Sequence, residues 1–274
     1  MVAFAGNSIL CRLALYDSAL DAATYTVVRL VSATITLVVI LYLRDRRQFK
    51  PTEHGSWRSA ITLAVYAICF SYAYITLGAG TGALLLFGFA QLTMIAAALL
   101  AGERPLAGEV VGWLLAAAGL AALLLPGATS PSLGGSAMMA VAGVGWGLYT
   151  LYGRGESRPL ASTAGNFIRV LLPASGFAVI AAFTLQVSTE GLILAVLSGS
   201  LTTGVGYVIW YAALPSLSAL QAALIQLSVP AIAAFGGVAL LGEALTMRLL
   251  WCGVLILGGI ALSLGSKYRR ALAT

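Results

Sequence analysis

From its first residue to its last, the chain is a succession of apolar runs, each about as long as a lipid bilayer is thick. A spanning helix needs about 20 apolar residues, because each adds about 1.5 Å against a hydrocarbon core about 30 Å deep. Such runs fall at 1–16, 22–43, 58–77, 81–101, 107–126, 134–153, 160–184, 190–211, 216–241 and 245–265, joined by short, often Gly- or Pro-marked links such as TLGAGTGA, LPGATSPSLGG and ALPSLSAL. Within hydrocarbon the backbone must satisfy its own hydrogen bonds, which a helix does locally. The sequence therefore predicts an all-α integral membrane protein of ten transmembrane helices, with no link long enough to part off a soluble domain.

Composition agrees. Hydrophobic residues make up 60% of the 274 and charged residues only 9%, with a mean hydropathy of +0.98. A soluble domain carries about a quarter charged residues. The 31 glycines suit transmembrane helices, where glycine is enriched. Cys11, Cys69 and Cys252 lie in apolar runs without metal-ligand spacing and read as small hydrophobes. The net charge of +6 sits at helix ends rather than along one stripe, so no nucleic-acid partner is implied.

Lys and Arg set the orientation. Arg44, Arg46, Arg47, Lys50, Arg58, Arg104, Arg154, Arg158, Lys267, Arg269 and Arg270 fall on one side of the alternating spans, and the opposite loops carry only Arg248. The positive-inside rule puts both termini in the cytoplasm, and the chain in the inner (plasma) membrane. Arg12, Arg29 and Arg169 remain within spans. The first span, begun at Met1, covers only about 24 Å at 1.5 Å per residue. Either the chain is shortened there or that helix is short at its cytoplasmic end. With Asn7 and Arg12 inside it and no basic leader, it does not read as a signal peptide.

A shift of 140 residues lays Gly102-Glu103 on Gly242-Glu243, Arg29 on Arg169, and GALLLFGFAQLTMIAAALLAGE on AALIQLSVPAIAAFGGVALLGE. Two halves of five helices follow, 1–130 and 131–274. Because five is odd, the second enters the membrane from the opposite side. Inverted repeats of this kind are a mark of secondary transporters, whose substrate site lies near the midplane between the halves.

At GNSILCRLAL, VRLVSA, LLAGERPLAGEVVGWLLAAAG, WGLYTLYGR, FIRVLLPA and LLGEALTMRLLWCGVLILGG the chain resembles the drug/metabolite transporter superfamily, in particular its EamA-type ten-helix exporters. Within it, Trp146 and Tyr149 (WGLY), Tyr207 and Trp210 (YVIW), Pro230, Phe87 and Phe89 are similar to the YddG-type aromatic amino acid exporters. The short first span and the lack of a tryptophan in the fourth depart from that pattern. The resemblance implies a basket of helices 3, 4, 8 and 9 with 1, 2, 6 and 7, closed behind by 5 and 10.

Intramembrane ionisable residues are functional candidates by default. Arg29 and Arg169, mates across the shift, have two readings: holding a substrate carboxylate or gating, and bonding helix-end carbonyls within each repeat. Their duplication favours the second. Arg12, near the outer end of its span, is expected to snorkel to the interface. Glu103 and Glu243 precede spans 5 and 10, where a carboxylate complements a helix N-terminus.

The substrate candidates are aromatic. Tyr66, Tyr72, Phe87, Phe89, Trp146, Tyr149, Tyr207, Trp210 and Tyr211 fall in spans 3, 4, 6 and 8, and Tyr207, Trp210 and Tyr211 share one helical face. An interfacial belt is the competing account for Tyr72, Tyr74 and Tyr211. Asn7, Gln91, Asn166 and Gln226 need partners across helices. Pro230 frees carbonyls in span 9 as a hinge or a packed kink, one turn from Gln226. Gly108 with Gly112, and Gly143 with Gly147, suit either a dimer or close packing within one monomer.

Absences narrow the function. No Asp or Glu lies near the middle of a span, and His54, the only histidine, is in a loop. A proton relay, a Ser-His hydrolase and a metal site therefore have no residues, and neither cofactor nor metal is implied. Without a phosphate-binding glycine loop, ATP is not the energy source. Rings of charge or carbonyl filters, expected of a channel, are also missing. The reading is a secondary exporter of small metabolites, amino acids first, with weak or no proton coupling. Nucleosides, sugars or drug-like cations are the alternative solutes, and a channel or scaffold the alternative class. The partners are the solute and the bilayer; a monomer accounts for the sequence, which does not fix an oligomeric state.

Overall fold

The computed structural model describes residues 1–274 except 17–19, 45, 47–49, 51, 103, 128–129, 155, 184–185, 214–224 and 274, and except the side chains of 180, 181, 211, 267 and 270–273. Glu103 and the side chain of Tyr211 thus lie outside the described residues. What is described is helical: α1 (Val2–Tyr16), α2 (Ala22–Arg44), α3 (Trp57–Ala73), α4 (Ala79–Leu100), α5 (Ala107–Leu124), α6 (Leu133–Tyr152), α7 (Pro159–Phe183), α8 (Thr189–Leu197), a π-helical segment (Ser198–Val205), α9 (Gly206–Ala213), α10 (Ser228–Leu241) and α11 (Met247–Ala273). An isolated antiparallel bridge, Leu20 to Val187, joins the links that follow α1 and α7.

Helix starts follow local chemistry. Ser56, Ser132 and Ser188 each accept a backbone N–H three residues on, capping α3, α6 and α8. Asp21 does the same for α2 through the N–H of Thr24. Two limits differ from the hydropathy. α3 stops at Ala73 rather than 77, because Arg12 takes the carbonyls of Tyr74 and Ile75. α11 runs on to Ala273 rather than 265.

Among the described residues, five helical stretches are long and apolar enough to cross a membrane: Ala22–Arg44, Ala79–Leu100, Ala107–Leu124, Thr189–Trp210 and Met247–Ser266. Their outward faces are apolar too. Ile35, Leu114, Leu172, Phe235, Trp251 and Val254 are each more than half exposed. Apolar patches on that scale belong against lipid.

α5 and α11 pack along one another and touch the remaining helices chiefly through α4. Their closeness rests on glycine: a Cβ on Gly112 would strike the carbonyl oxygen of Gly259, and one on Gly259 that of Gly112. Gly143 lies against Leu86 and Phe89 of α4, and Gly147 against Ala90 and Thr93. Both glycine pairs singled out in the sequence are therefore used inside one chain. The other helices gather around a second core, in which α2 packs on α7 and the π segment, α3 on α6 and α7, and α10 on α1 and α4.

Candidate substrate cavity

The repeated Gly-Glu has a backbone cause. Gly102 and Gly242 both adopt positive φ, 82° and 64°, the left-handed conformation that ends a helix without a Cβ penalty. Glu243 does not cap the helix that follows it. The N-terminus of α11 is served by Thr246, whose hydroxyl accepts from Leu249 N at 3.2 Å. The Glu243 carboxylate instead accepts from Ala79 N at 2.8 and 3.1 Å, at the start of α4. Gly78 and Gly237 give it room. α4 supplies the positive helix end it needs.

Arg12 completes this cluster and is not a snorkelling residue. It is buried, its Nε 3.4 Å from Glu243 Oε1 and its Nη1 donating to Tyr74 O and Ile75 O at 2.9 Å each. Tyr74 is fully buried beside it, which removes that residue from the interfacial belt.

The two mates Arg29 and Arg169 live differently. Arg169 donates to His54 O at 2.6 Å, Thr52 O at 2.7 Å and Gly165 O at 3.0 Å, fastening the link before α3. Asn166, one turn away, accepts Ser56 N at 2.8 Å. Arg29 is buried at 2% exposure and bonds Tyr66 Oη at 3.3 Å through Nη2. Its guanidinium lies 4.8 Å from the ring centre of Phe70 and 5.5 Å from that of Tyr66. Nε and Nη1 have no hydrogen-bond partner among the described residues. The offset that makes the two arginines sequence equivalents does not make them structural ones.

Arg29 faces a small internal cavity of about 30 Å³, room for about two waters. Seven helices and the π segment wall it. Its aromatic wall is built by Phe4, Tyr66, Phe70, Trp146, Phe167 and Tyr207, and its polar wall by Asn7, Ser8, Arg29, Thr202 and Thr203, with Leu86 and Phe87 beside them. The aromatic rings interlock: Trp146 lies 5.1 Å from Tyr66 and 6.0 Å from Tyr207, while Phe4 stands edge-on to Tyr207 at 5.7 Å. A polar chain runs behind them. Tyr25 Oη donates to Ser198 Oγ (2.8 Å), Ser198 Oγ to Asn7 Oδ1 (2.6 Å), and Asn7 Nδ2 to Tyr66 Oη (3.4 Å). The π turn places Thr202 and Thr203 on this wall, and Thr203 Oγ1 is buried without a partner among the described residues. Single π turns in otherwise regular helices concentrate at functional sites.

Of the sequence candidates, Asn7, Arg29, Tyr66, Phe87, Trp146 and Tyr207 line the cavity. Tyr149 stacks behind Trp146 at 5.7 Å, and Trp210 meets Phe4 at 6.3 Å from outside the lining. Tyr72 packs edge-on against Phe177, and Phe89 fills the α4–α6 contact at Gly143. Gln91 and Gln226 are half-buried outside the lining. Pro230 sits in the first turn of α10, after a break at Leu227, so the missing N–H falls where the helix starts rather than in mid-span. Sequence reasoning missed Phe4, Ser8, Phe70, Leu86, Phe167, Thr202 and Thr203. Phe70 had a usable signal, being one turn from Tyr66 on the same face.

A model of the EamA-like transporter family matches residues 133–265. An uncharacterized protein of Pseudomonas aeruginosa is 52% identical over 271 residues, covering 99% of this chain and 94% of that one. An uncharacterized transporter of Archaeoglobus fulgidus is 23% identical over 235 residues, 85% of this chain and 84% of that one. A crystal structure superposes with a TM-score of 0.65 over 97% of both chains at 19% identity, a likeness of fold alone. Residues 133–265 thus resemble the EamA-like transporter family, and the long apolar helices described above suit a membrane transporter.

Proposed function

We propose that this protein is a secondary exporter of small metabolites, with amino acids, aromatic ones among them, as its leading substrates. The observation that carries the reading is the cavity wall. Tyr66 from the first half of the chain meets Trp146 and Tyr207 from the second around one internal space. A site between halves is where an inverted-repeat carrier binds its cargo. In this reading residues 1–130 and 131–274 are five-helix repeats of opposite orientation, ten spans in all, with both termini in the cytoplasm of a cell bounded by the inner membrane. The cavity as it stands is far below the roughly 300 Å³ of a small-molecule site. Loading therefore requires the aromatic wall to part toward one side and then the other, which is alternating access. The buried cation of Arg29 weighs against drug-like cations as cargo.

The test is efflux from proteoliposomes loaded with labelled Trp, Phe, Leu, Thr and Met, with and without a pH gradient. Saturable efflux, reduced at least tenfold by Trp146→Ala and indifferent to the gradient, supports an uncoupled amino acid carrier. Failure to move any of them removes the substrate class and leaves nucleosides and sugars to be tried. Strictly proton-driven counter-transport sinks the uncoupled mechanism.

A further inference from the structure

Arg29 has five N–H bonds. Tyr66 Oη takes one through Nη2, while Nε and Nη1, carrying three, are buried with no partner among the described residues. Thr203 Oγ1, on the same cavity, is likewise buried without a partner among the described residues. No acidic side chain lines that cavity, so nothing described there neutralises the cation. An isolated buried charge is costly unless it is paired and hydrogen-bonded. Arg169, by contrast, spends its donors on three backbone carbonyls. One arginine of the pair is committed to structure; the other keeps its donors for something that enters the cavity.

We infer that Arg29 and Thr203 form the anion subsite of this transporter, and that the recognised cargo is an organic carboxylate with an aromatic or large apolar body. The inference rests on the transport reading above and deepens it. A carboxylate offers two oxygens to a planar guanidinium fork, and charge-assisted bonds of this kind are the strong ones. The Thr203 hydroxyl on the same cavity supplies a further donor. Its body then falls against Trp146, Tyr207 and Phe4, whose rings give area without charge. The π turn at Ser198–Val205 is part of the device, because its register brings Thr203 to the wall that Arg29 occupies. An α-ammonium finds no carboxylate partner in the lining. The carboxylate is therefore the group that is read, and the amino group is dispensable.

The experiment compares L-phenylalanine, 3-phenylpropionate and phenethylamine on the purified full chain in proteoliposomes. Binding is followed by tryptophan fluorescence and transport by labelled solute. Both carboxylates are expected to bind saturably and phenethylamine not to bind. Arg29→Gln should weaken carboxylate binding about tenfold or more, and Thr203→Val about threefold or more. If Arg29→Gln does not fold, Arg29→Lys and Thr203→Val decide, since the first keeps the charge without the fork and the second keeps the shape without the hydroxyl. Binding of phenethylamine as tight as that of 3-phenylpropionate overturns the inference. So does carboxylate binding unchanged within twofold in folded variants. Carboxylate binding that depends on Arg29 without transport upholds the subsite and removes the exporter reading. Saturable transport confined to solutes without a carboxylate does the reverse.

Discussion

Arg12 and Glu243, 231 positions apart in the chain, meet at 3.4 Å and hold four helix ends together. The arginine reaches from the last turns of α1 to the carbonyls that close α3, and the glutamate from the end of α10 to the first N–H of α4. Arg12→Met leaves the Tyr74 and Ile75 carbonyls without their donor and Glu243 without its counter-charge. A loss of about 2–3 kcal/mol is expected, the worth of hydrogen bonds to a charged group. It should appear as a lower Tm of the purified protein. Arg12→Met with Glu243→Gln should cost less than the sum of the single changes, and strict additivity would deny the contact.

The link before α3 is fixed by Arg169 and Asn166 around Gly55, whose φ is +83°. A Cβ on Gly55 would lie 2.6 Å from Asn166 Oδ1 in a backbone conformation that L side chains rarely adopt. Gly55→Ala and Arg169→Met should each lower stability by about 1–3 kcal/mol. Neither touches the cavity, so transport KM should stay the same. A KM raised tenfold by Arg169→Met would give that residue a role in the site.

Ser198 stands in the middle of the chain Tyr25–Ser198–Asn7. Ser198→Ala leaves a buried tyrosine hydroxyl without its acceptor and an amide oxygen without its donor, at about 1–3 kcal/mol. Adding Tyr25→Phe removes one of the orphans. The double variant should then melt at or above the temperature of Ser198→Ala alone; a lower Tm would show that Tyr25 is held by other contacts.

Gly112→Leu places a side chain where the α5 and α11 backbones touch. Overpacking of this sort costs about 1–3 kcal/mol, and here the opposing atom is backbone, which yields less than a side chain. Lower yield of monodisperse protein is the expected result. An unchanged elution profile and Tm would mean that the two helices are free to separate.

Most helix positions were legible because length and hydropathy act locally. The runs at 22–43, 107–126 and 134–153 correspond to α2, α5 and α6 within about two residues. What was not legible depended on partners. Nothing near Glu243 says that its carboxylate serves α4, because that choice is made by the packing of α10 on α4. The π turn leaves no hydropathy signature, yet it sets which threonines reach the cavity. Arg29 and Arg169 sit in similar strings, VVRLVS and FIRVLL, and part company because carbonyls of the link before α3 approach Arg169 while aromatic rings flank Arg29. Aromatic content identified Tyr66, Trp146 and Tyr207; it could not tell them from Tyr72 or Phe89, whose rings face other helices.

The contact between Gly112 and Gly259 has a mechanical meaning. Where two backbones touch there is no side chain to change rotamer and no gap to be closed, so α5 and α11 can only travel as one strut. Attached chiefly through α4, that strut acts as an anchor post standing outside the cavity walls. Whatever bends to admit a solute has to do so against it, and the compliance must come from the helices that carry the aromatic rings.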